Sequence, residues 1–130
     1  LPVAGDRLVC LRNNHEKGLL NGSLWEVVQR VTVDDDTMAL QLRDPDTGAE
    51  VATEAHRHHF EGREDDLSPY AFKEADAFDY GYALTVHKAQ GSEWAKVLLV
   101  DESHCFRDNA RRWLYTGITR AAEQLTVMKT

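Results

Sequence analysis

Four β-prone runs fall within the first sixty residues, and a turn sequence separates each from the next. They occupy residues 7–12, 24–33, 38–43 and 49–53. The third, Met38-Ala39-Leu40-Gln41-Leu42-Arg43, alternates with period two, as a strand with one buried face does. Asn21-Gly22 is a favoured hairpin pair because both residues tolerate positive φ. Asp34-Asp35-Asp36 is a charged turn, and Asp44-Pro45-Asp46-Thr47-Gly48 supplies a fixed φ and then a Gly exit. Short strands with frequent tight turns point to a small antiparallel barrel.

The last fifty residues read differently. Residues 82–86 suggest a short strand. Val97-Leu98-Leu99-Val100 is a continuous apolar run, as in a strand buried on both faces of a parallel sheet. Residues 109–122 suggest a helix with Asp108 or Asn109 as N-cap, and with Ala110, Trp113, Leu114, Gly117, Ile118 and Ala121 at helical spacing. Gly117 costs that helix about 1 kcal/mol relative to Ala, which suggests close backbone packing on its face. Residues 125–128 close as another strand. The alternation is half of a doubly wound domain. Between the halves, residues 61–79 carry a charge cluster and Ser68-Pro69, and read as a linker or surface excursion. The expected fold class is mixed α and β, with no internal repeat.

A chain of 130 residues holds one ordinary domain or two small units. At 42% hydrophobic and 28% charged residues it is neither disordered nor collagen-like. No apolar run approaches the about 20 residues of a membrane helix. Residues 1–6 carry no basic stretch and no apolar signal core, and the chain lacks an initiator Met, so a piece of something longer is expected. Cys10 and Cys105 lie far apart and read as two idle thiols in a reducing compartment. Residues 1–60 hold 6 basic and 10 acidic side chains, residues 61–79 hold 2 and 7, and residues 80–130 hold 7 and 5. A net charge of −7 excludes bulk attraction to phosphate backbones, so any nucleic-acid role needs a local site, best placed in the C-terminal third.

Two runs there could carry chemistry. In Thr85-Val86-His87-Lys88-Ala89-Gln90-Gly91-Ser92-Glu93-Trp94, hydroxyls, a Lys and Gly amides are groups that hold phosphates, and Glu93 could accept hydrogen bonds from ribose hydroxyls. The plainer reading is a polar loop after a strand. In Tyr115-Thr116-Gly117-Ile118-Thr119-Arg120-Ala121, Arg120 lies one helical turn beyond Thr116. It could reach a γ-phosphate and stabilise transition-state charge, or simply bond helix C-terminal carbonyls.

Together the runs resemble motifs V and VI of superfamily 1 DNA helicases, most closely the RecD-like group that includes the exodeoxyribonuclease V alpha chain and related phage helicases. Residues 5–13, with Asn21-Gly22 after them, resemble the SH3-like insertion that precedes motif V in that group. The resemblance implies an SH3-like barrel (2B-like) over residues 1–66, an acidic linker over 67–79, and part of a RecA-like, P-loop NTPase-type motor domain (2A-like) over 80–130. It places Thr85, His87 and Lys88 toward single-stranded DNA. Gln90, Gly91 and Glu93 fall toward the nucleotide, with Glu93 near its sugar. Arg120 becomes the arginine finger, with Tyr115 and Thr119 positioning its helix. The implied parent is an ATP-dependent 5′→3′ helicase using ATP and Mg²⁺ in the cytoplasm of a bacterial or phage-infected cell. Its partners are single-stranded DNA, a missing N-terminal RecA-like domain, and subunits of a nuclease or replication complex.

One departure is large. The sequence has no Gly-x-x-x-x-Gly-Lys-Ser/Thr loop, so the chain alone is expected to bind no ATP or Mg²⁺ and to be inactive. Leu98-Leu99-Val100-Asp101-Glu102 imitates a Walker B strand, but it follows motif V and reads as a sheet strand ending in carboxylates. His56, His58 and His59 cluster, and His104-Cys105 are adjacent, yet neither has an evident partner pair, so no metal site is expected. Partly exposed strand histidines are the expectation for the cluster. Trp25 and Trp113 are expected in cores, and Trp94 stays open between packing and base stacking. Two alternatives remain: a non-enzymatic DNA- or protein-binding module, and the helicase segment of a conjugative relaxase.

Overall fold

The computed structural model describes residues 1–63 and 75–130. They form two compact units, Leu1–Ala83 and Leu84–Thr130.

The first unit is a five-stranded antiparallel sheet. Its strands are β1 (Arg7–Cys10), β2 (Leu24–Thr32), β3 (Thr37–Arg43), β4 (Glu50–His56) and β5 (Phe78–Tyr80), in the order β4-β3-β2-β1-β5. β3 behaves as its alternation predicts: Met38, Leu40 and Leu42 are buried and the residues between them only half-buried. With Leu8, Trp25 and Phe78 they make one apolar core. β2 departs from its own pattern. A bulge lies between Val27 and Gln29, and one extra residue turns the following side chains to the opposite face. Trp25 and Val27 are therefore buried while Val31 is 51% exposed. The two edge strands approach each other: Asp76, just before β5, donates its N–H to the Glu54 carbonyl of β4 at 2.9 Å, and Ala55 and Asp76 form a parallel bridge.

Residues 82–86 form no strand; the strand lies upstream at Phe78–Tyr80 and pairs with β1. The chain leaves the sheet at Gly81, whose N–H bonds Arg7 O, and at Tyr82, whose hydroxyl donates to the Asp6 carboxylate. Of the expected acidic linker, residues 67–74 lie outside the described residues. Its described end is sheet instead, with Ala75, Asp76, Ala77 and Phe78 all buried. The histidine cluster is only partly as expected: His56 is a strand residue but buried, and His58 is half-buried but lies, with buried His59, outside the strand. His56 ends β4, and residues Arg57–Phe60 form a helical turn (α1). Burial, reinforced by the neighbouring His58, pushes the His56 imidazole below its ordinary pKa.

In the second unit β6 (Trp94–Asp101) pairs in parallel with β7 (Ala121–Lys129). The crossover is a 3-10 stretch, Ser103–Asn109, and a helix, α2 (Ala110–Ile118). Val86, Leu99 and Trp113 form the core, with Phe106, Leu114 and Leu125 packed on it. The apolar run of β6 is buried on one face rather than both: Leu99 is 6% exposed under α2, and Leu98 is 63% exposed on the other side. The helix begins where expected, with Asn109 at the N-cap position though without a side-chain cap bond, and stops at Ile118 rather than 122. Thr119 ends it, because its hydroxyl bonds Tyr115 O at 2.8 Å and Thr116 O at 3.1 Å and so competes for carbonyls of the last turn.

Gly117 packs as its position in the helix suggested. A Cβ there would sit 3.0 Å from Leu99 Cδ1 and 3.4 Å from Val86 Cγ2. Gly117→Val is accordingly expected to destabilise this unit by about 1–3 kcal/mol through overpacking. Thermal unfolding checks this, and an unchanged midpoint would refute the close approach. Among the described residues no helix is long and apolar enough to cross a membrane.

Candidate functional site

Every residue singled out from the two motifs belongs to the second unit. Residues 86–91 form consecutive turns anchored by Val86 and Ala89, both buried. Ala89 N–H bonds Thr85 O at 3.0 Å and Ser92 N–H bonds Ala89 O at 3.1 Å. Burial three residues apart leaves Thr85, His87, Lys88 and Gln90 facing outward, and all four are exposed. Thr85 caps the turn: its Oγ1 accepts the Lys88 N–H at 3.2 Å, which leaves its O–H proton available to an outside acceptor. Gly91 closes the turn at φ +81°, a conformation costly for other residues.

Arg120 ties this segment to the end of α2. Its Nε donates to Thr116 O, its Nη1 to Ser92 O and its Nη2 to Thr119 Oγ1, each at 2.9 Å. Its own carbonyl accepts the Trp94 N–H at 2.9 Å, beside the Trp94–Ala121 pair that opens the β6–β7 ladder. Ser92 and Trp94 flank Glu93 in sequence, so Arg120 grips the chain on both sides of that exposed carboxylate. The bond to Thr116 is the helix-end contact weighed above as the plainer reading. The bond to Ser92 is what makes one constellation of the two motifs. Thr119 supports the guanidinium directly. Tyr115 contributes only its carbonyl, since the residue is 71% exposed.

A cavity of about 230 Å³ opens beside the turns, lined by His87, Gln90, Phe106, Asn109, Arg112 and Thr116. Val86 and Trp113 complete its wall. The rings of Phe106 and Trp113 stack, with centroids 5.4 Å apart, and His87 lies 6.2 Å from Phe106. Gln90, expected toward the nucleotide, thus shares a groove with His87, expected toward DNA, while Gly91, Glu93 and Arg120 are not among its lining residues. Sequence reasoning missed Phe106, Asn109 and Arg112. Asn109, Arg112 and Thr116 follow each other at helical spacing, a signal that was present. Nothing local marks the 3-10 stretch that carries Phe106.

Asp101 serves its own turn: hydrogen bonds from the Ser103 side chain and N–H hold its carboxyl below the usual range. Among the described residues no three His, Cys, Asp or Glu side chains gather as a metal site requires. Cys10 is buried and Cys105 exposed, both as free thiols.

Residues 80–128 match the family described as UvrD-like helicase C-terminal domain. The chain is 33% identical over 125 residues to the ATP-dependent RecD2 DNA helicase of Deinococcus radiodurans, covering 92% of this chain and 13% of that protein. It is 30% identical over 104 residues to the RecBCD enzyme subunit RecD of Mycolicibacterium smegmatis, covering 80% of this chain and 18% of that one. The chain therefore spans under a fifth of these relatives. In fold it is similar to the Pif1 helicase from Bacteroides in complex with ADP-AlF3 and ssDNA. There the TM-score is 0.56 and the identity 17%, over 98% of this chain and 29% of the other.

Proposed function

We propose, from the premise that this chain resembles the C-terminal region of RecD-like superfamily 1 helicases, that it supplies the DNA-facing and nucleotide-facing edges of an ATP-dependent 5′→3′ DNA helicase. The observation that carries the reading is the Arg120 constellation. One guanidinium joins the end of the motif VI helix to the motif V segment through Ser92 O at 2.9 Å, beside the exposed Glu93. Glu93 then accepts hydrogen bonds from the nucleotide sugar, and Arg120 faces the terminal phosphate, with Thr119 and Tyr115 shaping the helix end. Thr85, His87 and Lys88 meet the DNA backbone, where the free Thr85 proton and the Lys88 ammonium suit phosphate oxygens.

The residues present fit one edge of a nucleotide site and not its cradle, because the sequence holds no P-loop. ATP and Mg²⁺ supply the phosphoryl group and its charge neutralisation in the parent protein; the chain alone does not turn ATP over. The missing N-terminal RecA-like domain is thus an obligatory partner, and nuclease or replication subunits are further ones. The first unit takes the role of the SH3-like 2B insertion. Its support is the five-stranded antiparallel order and the Ala55–Asp76 bridge between the sheet's two edges. A bacterial or phage-infected cytoplasm suits that role.

The test is ATP turnover by the full-length protein with and without single-stranded DNA. Strong stimulation by the single strand is expected. Turnover that ignores single-stranded DNA would sink the motor reading and favour a non-enzymatic binding module.

A further inference from the structure

The groove beside the motif V turns brings Phe106, Asn109 and Arg112, which neither motif assigns, together with His87 and Gln90 of motif V. Gln90, Asn109 and Arg112 line it, and their side chains have no hydrogen-bond or ion-pair partner among the described residues. Its wall carries the aromatic series His87, Phe106 and Trp113. Arg107, between Phe106 and Asn109, holds φ +45° and ψ −109°, a strained backbone for a residue with a Cβ. Such strain persists where surrounding structure enforces it, and it collects at binding sites. The kink directly follows Phe106, which stacks on Trp113, and lies two residues before Asn109 at the start of the helix.

We propose that this groove is a subsite for one unpaired nucleobase of the DNA strand, with Phe106, Asn109 and Arg112 as binding residues outside the two motifs. The inference rests on the DNA-binding reading above. Size favours a base alone: about 230 Å³ falls below the roughly 300–1,000 Å³ of sites that enclose a whole drug-sized ligand. A phosphate would be served by Arg112 and has no use for the aromatic wall. A base uses both, its face against an aromatic ring and its edge toward the Gln90 and Asn109 amides. The strand is favoured over a free nucleotide because His87 lines the groove and exposed Lys88 adjoins it, whereas Glu93 and Arg120 do not line it.

The experiment compares equilibrium binding to the full-length protein of an oligothymidylate and of the same oligomer carrying a single abasic residue, placed at each position in turn, and reads the position with the largest loss. The proteins are wild type, an Asn109→Ala/Arg112→Ala variant and Phe106→Leu. The ratio of the two affinities cancels the charge of Arg112, which both oligomers feel. Wild type is expected to favour the base-containing strand about tenfold, within the range of one base stacked on an aromatic ring. Both variants are expected to bring that preference close to unity. The double variant changes only exposed side chains, so it reports even if Phe106→Leu unfolds. An unchanged ratio in the double variant, or no preference in wild type, overturns the subsite while leaving DNA binding intact. Loss of ADP affinity in the double variant with the ratio unchanged assigns the groove to the nucleotide and overturns it too. Failure of wild type to bind either oligomer removes the DNA-binding reading, and the subsite with it.

Discussion

Arg120→Ala in the full-length protein is expected to lower single-strand-stimulated ATP turnover about a thousandfold, with nucleotide affinity largely retained. The size follows from where the charge acts. An arginine facing a transferring phosphoryl group stabilises charge that exists only in the transition state, so its loss appears in turnover rather than in binding. In the structure the guanidinium is engaged by Thr116 O, Ser92 O and Thr119 Oγ1. Those bonds do not argue against the role. Releasing Ser92 O would cost about 1.5–3 kcal/mol, the worth of a hydrogen bond to a charged group. A thousandfold rate effect corresponds to about 4 kcal/mol. The Nη1 and Nη2 groups also each keep one further N–H beyond the bonds described. Arg120→Lys keeps the charge but loses the paired donors, because an ammonium cannot present to a phosphate the fork geometry of a guanidinium. A lysine variant that unfolds at the wild-type temperature yet stays a hundredfold slow or worse places the effect in the transition state. Turnover losses that merely track lost stability would make Arg120 a structural pin, and the nucleotide-facing assignment would fall.

Much of the first unit could be read directly because its signals are local. The charged turn at Asp34–Asp36 and the Asp44–Gly48 turn lie between the strands they were expected to join, and the alternation of β3 matches its burial. What escaped was set by distant partners. The β2 bulge reverses which valines face the core, and alternation alone does not show it. β5 has three residues and forms because β1 offers an edge; nothing in Phe78–Tyr80 distinguishes it from loop. His58 and His59 escape a strand reading because a helical turn of four residues has too little periodicity to detect. At the site, motif order marked Arg120 and Glu93, and the geometry added that the backbone on either side of Glu93 bonds Arg120. The groove stayed hidden because Phe106 and Arg112 meet His87 only after the crossover folds back on the turns.

The second large effect lies in a residue that sequence reading passed over as part of a linker. Asp76→Ala is expected to destabilise the first unit by about 3 kcal/mol. Asp76 is 6% exposed, and its carboxylate accepts bonds from Asn14 Nδ2 at 2.9 Å, from Lys17 Nζ at 3.0 Å and from the Thr53 hydroxyl. It thus fastens the β1–β2 connection and β4 to the segment entering β5. Breaking a buried ion pair from one side costs about 3–5 kcal/mol. The lower end applies because the Lys17 side chain is 37% exposed and can regain water. For a unit of this size the melting temperature should fall by roughly 10–20 °C. The charge, and not only the shape, should matter. Burial alone would raise the Asp76 pKa, but hydrogen bonds from Thr53, Asn14 and Lys17 outweigh it and hold the carboxyl below the ordinary range. A folded pKa below the unfolded one gives stability that is fully present above about pH 4 and is lost as pH falls through the folded value. Denaturant titrations of the intact chain, followed through the buried Trp25, should therefore show a wide gap between wild type and Asp76→Asn at pH 7. The gap should narrow only in strong acid. A gap of the same size from pH 7 to pH 2 would assign the effect to packing and contradict the ionised carboxylate as its source.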